Sequence, residues 1–569
     1  MRRRPALSAA AAWLLALCLL VPSGPARAQQ GGTLHDDPAA DAAPAEGHAG
    51  VDARHYRFAL TLREDTNRIS GVAAARVRFL ADTLDALTLD LVGKSGEAGM
   101  TAESVERVGT GEALDFSHAN ERLRIALAEA PEQGETRAYR IRYGGVPADG
   151  LIIAENQFGD RTFFGDHWPT RARHYLPSID HPADKATVAF EVTAPDAYQV
   201  IAGGRLEERT DLPGPTSVTR YRTHARLPMK VAVIGAARFA VSYPSTAAET
   251  PLESWVYPQN RSEGFDQMAQ AERILEYFAE NIGPFPFEKL ANVESKTRYG
   301  GMENAGSIFY SEDAVAEGEG IEPLLAHEIA HQWFGDAVTE ASYAHLWLSE
   351  GFATYLTDLF IEATYGEERF RKRMRRERQA VAEFARKKPA APLVDASFDE
   401  ATEILDPFRY QKGAWVLHML RRKVGLEAFW DGLALHYERY RGGNADTQDF
   451  RRSMEAASGQ DLAAFFEQWT QGPALPRYEG TWRYRPQGGS QRSDGRVVVE
   501  LQQRAPEDFT FALPLEIGIY PREGAEPRIE TVDVNARQET VSFAVEEEPV
   551  RVALDPNANT LMTADFGRE

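Results

Sequence analysis

The segment 324-LLAHEIAHQWF-334 decides the fold at the centre of this chain, because its pattern fits a buried helix that carries a metal ion. His327 and His331 are four residues apart, so an α-helix places them one turn apart on the same face. Two imidazoles in this arrangement bind one zinc ion, and Glu328 flanks the open side of the metal. Two exposed histidines on a charged helix are the alternative. The apolar and aromatic flanks argue against it, because burying these groups without compensation costs free energy.

A third protein ligand is expected from the segment 347-WLSEGFA-353, in which Glu350 is the candidate. Catalytic zinc has three protein ligands and a water in the fourth position. The sequence therefore predicts one Zn²⁺ per chain, held by His327, His331 and Glu350. Zinc of this kind lowers the pKa of bound water from about 16 towards 7, and Glu328 acts as the general base for the attack of that water. The chemistry fits amide hydrolysis and leaves internal and terminal cleavage open.

The segment 300-GGMENAG-306, upstream of the metal helix, bears on that choice. Its glycines allow a ligand to approach the backbone closely, as at an open strand edge. Glu303 in this position would pair with the ammonium group of a substrate. A glycine-rich turn with a solvent-exposed glutamate explains the segment equally well.

The composition describes a globular chain of several domains. Its 569 residues are 43% hydrophobic and 26% charged, and two to four domains are expected at this length. The formal charge of −22 argues against nucleic acid and against an anionic membrane surface as partners.

The first 28 residues have the pattern of an export signal. Arg2, Arg3 and Arg4 precede an apolar run at residues 9–21, and Ala26-Arg27-Ala28 is a small-x-small cleavage site. We expect a periplasmic or secreted protein, cleaved near Ala28, with no stable membrane insertion, because the apolar run is too short to span a bilayer. Cleavage removes Cys18, the only cysteine, and with it any disulfide or thiol chemistry. The paired arginines leave both general secretion and twin-arginine export open.

Periodicity divides the remainder of the chain. Residues 29–50 are predicted to be a flexible linker, and alternating apolar residues over 51–245 predict a β-rich domain. Residues 246–473 are predicted to be mostly helical, with helices over 267–280 and 321–334 and a strand over 290–296. Alternation returns over 474–569, at residues such as Phe511, Leu513 and Leu515, and predicts a β-sandwich.

Taken together, GGMEN, HExxH and WLxEGFA resemble the motifs of the zinc aminopeptidases of the aminopeptidase N and leukotriene hydrolase family, which are gluzincin metallopeptidases. The sequence YQKGAWVL at residues 410–417 is similar to the segment that holds the catalytic tyrosine of that family. WPTRAR at 168–173 and DHPADKA at 180–186 resemble its N-terminal signature. The similarity spans about residues 51–569.

The resemblance implies a multidomain α+β fold: an N-terminal β-saddle domain, a thermolysin-like α/β catalytic domain and a C-terminal β-sandwich. It implies an aminopeptidase in which Glu303 binds the free α-ammonium group of a peptide and Tyr410 donates to the oxyanion. The substrate-binding residues that it implies are Gly301, Met302, Glu303, Asn304 and Asp166.

Departures from the family pattern keep part of the function open. The chain is a short form without the C-terminal helical domain of larger members, so we expect a more open site. Ser349 and Thr357 replace residues that commonly support the metal ligands. A zinc endopeptidase, an epoxide hydrolase of the leukotriene hydrolase type and a non-catalytic binding protein are the alternatives. The preferred N-terminal residue, the peptide length and the oligomeric state are not predicted.

Overall fold

The computed structural model describes residues 48–316, 320–486, 495–505 and 509–569. The predicted export signal and most of the predicted linker lie outside these residues. The fold class is confirmed, because a β-rich N-terminal region, a mixed catalytic region and a β-rich C-terminal region follow one another along the chain. Within the described residues, every helix is too short or too polar to cross a membrane.

The N-terminal region consists of twisted sheets whose inward residues alternate along each strand. In the first strand, Tyr56, Phe58 and Leu60 are buried and their neighbours are half-exposed, as the alternation predicts. The strands are β1 (Val51–Thr61), β2 (Ile69–Phe79), β3 (Ala86–Asp90), β4 (Gly99–Arg107), β5 (Phe116–Ala119), β6 (Arg122–Ala126), β7 (Thr136–Val146), β8 (Leu151–Glu155), β9 (Arg161–Gly165), β10 (Thr187–Pro195), β11 (Gln199–Ala202), β12 (Arg205–Asp211), β13 (Thr216–Arg222) and β14 (Ile234–Ala237). They form sheets in the orders β12-β13-β10-β1-β2-β7-β4, β11-β14-β9-β8 and β3-β6-β5.

A smaller mixed sheet carries the segment that contains Glu303. Its strands are β15 (Ala240–Ser242), β16 (Thr246–Ala247), β17 (Thr250–Val256), β18 (Leu290–Ser295), β19 (Gly301–Met302) and β20 (Ser307–Ser311). Strands β17, β18 and β20 are parallel, and β19 lies antiparallel to β20 at the end of the order β15-β17-β18-β20-β19. The strand predicted over 290–296 is β18. β15 precedes residue 246 and pairs with β17, so this sheet begins before residue 246. The domain boundary between residues 245 and 246 stays a prediction.

Helices pack against this sheet and complete the central region. They are α1 (Arg261–Met268), α2 (Ala271–Asn281), α3 (Glu312–Ala316), α4 (Glu322–His331), α5 (Trp347–Tyr365), α6 (Glu367–Ala385), α7 (Gly413–Val424), α8 (Leu426–Tyr440), α9 (Thr447–Ser458) and α10 (Ala463–Phe466). The short pair β21 (Val338–Glu340) and β22 (Gly443–Ala445) joins the end of the metal helix to α9.

One predicted helix is wrong in extent. The spacing over 267–280 predicts a single helix, but the structure has α1 and α2 with a break at Ala269 and Gln270. Met268 and Ala271 are both buried on either side of the break. The helical spacing of apolar residues therefore continues through the break, so this spacing could not predict where α1 ends and α2 begins.

The C-terminal region is a two-sheet β structure. Its strands are β23 (Arg477–Pro486), β24 (Gly495–Arg504), β25 (Leu513–Tyr520), β26 (Arg528–Val534), β27 (Gln538–Val545), β28 (Arg551–Leu554) and β29 (Thr563–Arg568). They form the orders β27-β24-β23-β29 and β26-β25-β28. Leu513 and Leu515 of β25 and the preceding Phe511 are buried, as the alternation predicts. Phe511 packs on Trp469 with ring centroids 5.3 Å apart, so the helical and C-terminal cores are continuous.

Candidate metal centre

The metal helix α4 places both histidines of HExxH on one face. The Nε2 atoms of His327 and His331 lie 3.1 Å apart, and each lies 3.3 Å from Oε2 of Glu350. Ligands about 2.1 Å from one ion at tetrahedral angles are separated by about 3.4 Å. The three atoms are thus spaced as ligands of a single small cation.

Glu350 reaches the histidines because α5 packs along α4. The turn between the two helices passes through Gly335, whose φ is +128°. A Cβ there would lie 2.6 Å from Oγ of Ser349 and 3.0 Å from Nδ1 of His331. Only glycine permits the chain to turn this closely beneath the ligands.

The donor set fits zinc. Two imidazole nitrogens and one carboxylate oxygen are a usual set for catalytic Zn²⁺. Burial opposes a charge on His331, yet the carboxylates of Glu350 and Glu303 raise its pKa to about 10. Although Glu350 is buried, the two histidines hold its pKa below the ordinary value. Burial lowers the pKa of His327, so it is the carboxylates around His331 that favour positive charge where the ligand atoms converge.

Contacts of the ligands fix their orientation. Nδ1 of His331 lies 3.2 Å from the carbonyl oxygen of Phe334 and 3.1 Å from Oγ of Ser349. A proton on Nδ1 leaves Nε2 free to bind metal. The hydroxyl of Thr357, in contrast, donates to the backbone oxygen of Ala353 within its own helix.

Glu328 and Glu303 lie beside the ligands and are both buried. Carboxylate oxygens of the two and a ring nitrogen of His331 all lie within 4.8 Å of one another. Burial raises the pKa of Glu328 well above its ordinary value, with His331 acting against this shift. A carboxyl group of this kind is suited to exchanging a proton.

Strand β19 presents the segment that ends at Glu303. In the described part of the chain β19 pairs with β20 alone, through Gly301 with Tyr310 and Met302 with Phe309. Gly301 and Met302 also line a cavity beside the ligands, so an extended peptide can add to the unpaired edge of β19 as a further strand. The predicted open strand edge is therefore present in the fold.

Tyr410 lies across the cavity from β19, in a π-helical turn at Phe408–Lys412. Its ring is nearly parallel to that of His327, with centroids 6.0 Å apart. Burial raises the pKa of Tyr410 well above its ordinary value, so its hydroxyl remains a donor. This turn reaches the ligands because Gly351 of α5 and Gly413 of α7 touch; a Cβ at Gly351 would lie 2.8 Å from the Cα of Gly413.

A cavity of about 70 Å³ unites these groups. It is lined by Trp168, Tyr299, Gly301, Met302, Glu303, His327, Glu328, His331, Glu350, Leu405 and Tyr410. The sequence assigned no role to Trp168, Tyr299 or Leu405. Trp168 lies within the segment that resembles the family's N-terminal signature, and this resemblance could have drawn attention to it. Leu405 lies in no motif of the sequence.

Two residues predicted to bind substrate do not line this cavity. Asp166 is fully buried, with its carboxylate oxygens 2.8 Å from Arg171 and 3.1 Å from Arg298. Asn304 is also fully buried, and its backbone nitrogen donates to the oxygen of Met302. Asp166 is neutralised by two arginines before any substrate arrives, so the structure gives no support to its predicted contact with an ammonium group.

Comparison with known proteins agrees with this geometry. Residues 52–229 match the peptidase M1 N-terminal domain, and residues 267–469 match the peptidase family M1 domain. The chain belongs to peptidase family M1. The M1 match covers HExxH, Glu350 and Tyr410, and zinc is the metal of this site.

M1 relatives include proteins named as aminopeptidases. The chain is 28% identical over 312 residues to the probable aminopeptidase 2 of Sulfurisphaera tokodaii, which covers 52% of this chain and 40% of that protein. It is 27% identical over 327 residues to the human glutamyl aminopeptidase, which covers 55% of this chain and 34% of that protein. The matched part is thus less than half the length of these relatives.

A solved M1 structure shares the fold. A mutant of the M1 zinc metallopeptidase from Deinococcus radiodurans superposes with a TM-score of 0.65 at 24% identity. The superposition covers 74% of this chain and 95% of that one.

Proposed function

We propose that this M1 protein is a zinc-dependent aminopeptidase that removes the first residue of peptides with a free amino terminus. The observation that carries the proposal is the position of Glu303, within 4.8 Å of Glu328 and His331. The nitrogen of an α-ammonium group is about 2.5 Å from the carbonyl carbon of the same residue. A peptide whose ammonium group binds Glu303 therefore brings its first peptide bond, and no later one, next to Glu328.

The chain's own groups then have separate roles. Glu303 accepts hydrogen bonds from the substrate ammonium group, and the edge of β19 aligns the peptide backbone. Zinc bound by His327, His331 and Glu350 supplies Lewis acidity, which polarises a carbonyl and acidifies water.

Proton movements belong to Glu328 and Tyr410. A carboxylate oxygen of Glu328 takes a proton from the attacking water and delivers it to the leaving nitrogen. The hydroxyl of Tyr410 donates to the carbonyl oxygen as negative charge develops on it, which stabilises the transition state more than the substrate.

A peptide series with free and N-acetylated amino termini tests the proposal. We expect cleavage of the first bond in the free peptides and none in the acetylated peptides. Cleavage of both sets at internal bonds would identify an endopeptidase instead. Glu303→Ala should raise KM for free peptides about 10- to 100-fold with zinc retained, because a charge-assisted contact is lost. Glu328→Gln should retain zinc and lose turnover.

We also propose that the protein is exported, on the basis of the N-terminal sequence. The arginines at residues 2–4, the apolar run at 9–21 and the small residues Ala26 and Ala28 support this proposal. N-terminal sequencing of the protein from a periplasmic or culture fraction tests it. Recovery of the uncleaved chain in the cytoplasm would contradict it.

A further inference from the structure

A residue outside the cavity joins the segment that carries Glu303 to the metal helix. Gln332 directly follows His331 and is fully buried. Its Nε2 donates to the backbone oxygen of Glu303 at 2.8 Å. Its Oε1 accepts from the backbone nitrogen of Gly306 at 2.8 Å. One side chain at the end of the metal helix therefore binds the segment 300–306 at two points, on either side of Asn304.

The orientation of this amide is fixed by its surroundings. Nε2 also donates to Oδ2 of Asp336 at 3.0 Å. A longer contact, 3.5 Å, joins Nε2 to the backbone oxygen of Glu328. Three acceptors face the nitrogen and one donor faces the oxygen, so a flipped amide would oppose all four partners. These hydrogen bonds fix the side chain of Gln332 in one orientation, in which it binds the segment 300–306.

The other described hydrogen bonds of the segment lie on both sides of Glu303. Before it, Gly301 and Met302 pair with β20, and the backbone nitrogen of Ser311 donates to the oxygen of Gly300 at 2.9 Å. The backbone nitrogen of Ala305 donates to the oxygen of Val231 at 3.0 Å, and Nζ of Lys289 donates to the oxygen of Gly306 at 3.1 Å. Both anchor the segment to the rest of the fold and not to the metal helix. The contact at Glu303 is made by Gln332, whose neighbour His331 binds the metal.

We propose that Gln332 is a positioning residue, which sets the distance between the ammonium site at Glu303 and the metal ligands. This inference rests on the proposed function, because it assumes that Glu303 binds the substrate amine. Gln332 does not line the cavity, and its proposed effect passes through the backbone of Glu303. Replacing Gln332 should therefore mainly raise KM for peptides with a free amino terminus.

Gln332→Met tests the inference, because methionine has a similar length and cannot make these hydrogen bonds. We expect KM for a free-amine dipeptide to rise about tenfold, with kcat changed less and zinc content unchanged. Thr339→Val is the matched control. It removes another buried hydrogen bond in the same region, from Oγ1 to the oxygen of Asp336 at 2.8 Å, and should leave KM unchanged.

A double-mutant cycle with Glu303→Ala separates positioning from general destabilisation. If Gln332 acts through Glu303, Gln332→Met should have little further effect on kcat/KM in the Glu303→Ala background. An equal loss in both backgrounds would overturn the inference. If Gln332→Met does not fold, Gln332→Glu keeps the acceptor for Gly306 and loses the donor to Glu303, and the same non-additivity is expected.

The two proposals fail in different ways. An unchanged kcat/KM in Glu303→Ala alone would overturn the proposed function and the positioning role with it. A large effect of Glu303→Ala together with an unchanged KM in Gln332→Met would overturn the positioning role only.

Discussion

Gly301 and Glu328 are packed so closely that a Cβ on Gly301 would lie 2.6 Å from the carboxyl carbon of Glu328. Real Cβ atoms do not approach other atoms to this distance, so one of the two groups would have to move. The edge strand β19 therefore lies directly against the side chain to which we assign proton transfer. A peptide aligned on β19 is held within reach of that carboxylate.

Gly301→Ala should reduce kcat about 10- to 100-fold, because the Glu328 carboxylate must shift to accommodate the methyl group. Steady-state kinetics and zinc analysis of the purified variant measure this, with zinc retained. Gly300→Ala is the matched control, since a Cβ there would meet only Leu324 at 3.8 Å. Equal kinetics for the two variants would contradict the role given to this contact.

Tyr410→Phe should lower kcat about 10²- to 10³-fold and leave KM and zinc content nearly unchanged, because it removes a donor that acts in the transition state. The phenyl ring keeps the parallel arrangement with His327. Single-turnover kinetics with a free-amine peptide measure the loss. A rise in KM with normal kcat would assign Tyr410 to substrate binding instead.

Ser349→Ala should weaken zinc binding about tenfold, because Nδ1 of His331 loses one of its two partners. The affinity for zinc is measured by competition with a chelator, with the residual activity reporting how much zinc stays bound. Thr357→Val removes a hydroxyl from the same helix that contacts only its own backbone, so zinc affinity should not change. Comparable zinc loss in both variants would indicate that α5 is disturbed as a whole.

Substrates with an apolar first residue should be preferred. Trp168, Tyr299, Met302 and Leu405 line the cavity together, and its charged lining groups are those already assigned to metal, amine and proton transfer. Trp168→Ala should lower kcat/KM for an N-terminal leucine about tenfold and for an N-terminal alanine much less, because it removes apolar contact area. An aminoacyl-anilide series provides the comparison. A wild-type preference for acidic first residues would contradict this assignment.

The stability of the N-terminal region should depend on pH through Asp184. Burial raises the pKa of this carboxyl to about 8, while the backbone nitrogen of Ala53 donates to it at 3.1 Å. The folded state then keeps a proton that the unfolded state releases near pH 4, so this contribution to stability falls as pH rises towards 8. Asp184→Asn cannot ionise and should become more stable relative to wild type between about pH 5 and pH 8. Denaturant unfolding of both proteins at pH 5 and pH 8 measures the difference in their free energies of unfolding. A difference that is the same at both pH values would contradict the raised pKa of Asp184.

Local periodicity was sufficient to predict the elements that bear the site. The spacing of His327 and His331 requires one helix face, and α4 presents them with Nε2 atoms 3.1 Å apart. Alternation likewise predicted β1 and β25, and a strand was also predicted where β18 lies. Such patterns are readable because side-chain direction follows from the backbone period alone.

Contacts between segments that are distant in the chain could not be predicted from local periodicity. Asp166 was predicted to bind substrate, and its ion pair with Arg298, more than a hundred residues away in the chain, could not be predicted from the sequence. Leu405 reaches the cavity from a segment without any motif.

The sequence by itself determined the family and the His327, His331 and Glu350 group that fits zinc, and it predicted Glu328 for proton transfer, because these follow from residue type and short-range spacing. The tertiary structure decided which residues line the cavity and which contacts hold them there. Gly301 lies against Glu328, Gly351 against Gly413, and Gln332 between the metal helix and Glu303 only after folding. These are close-packing relationships between separate elements, and packing distances depend on the whole fold.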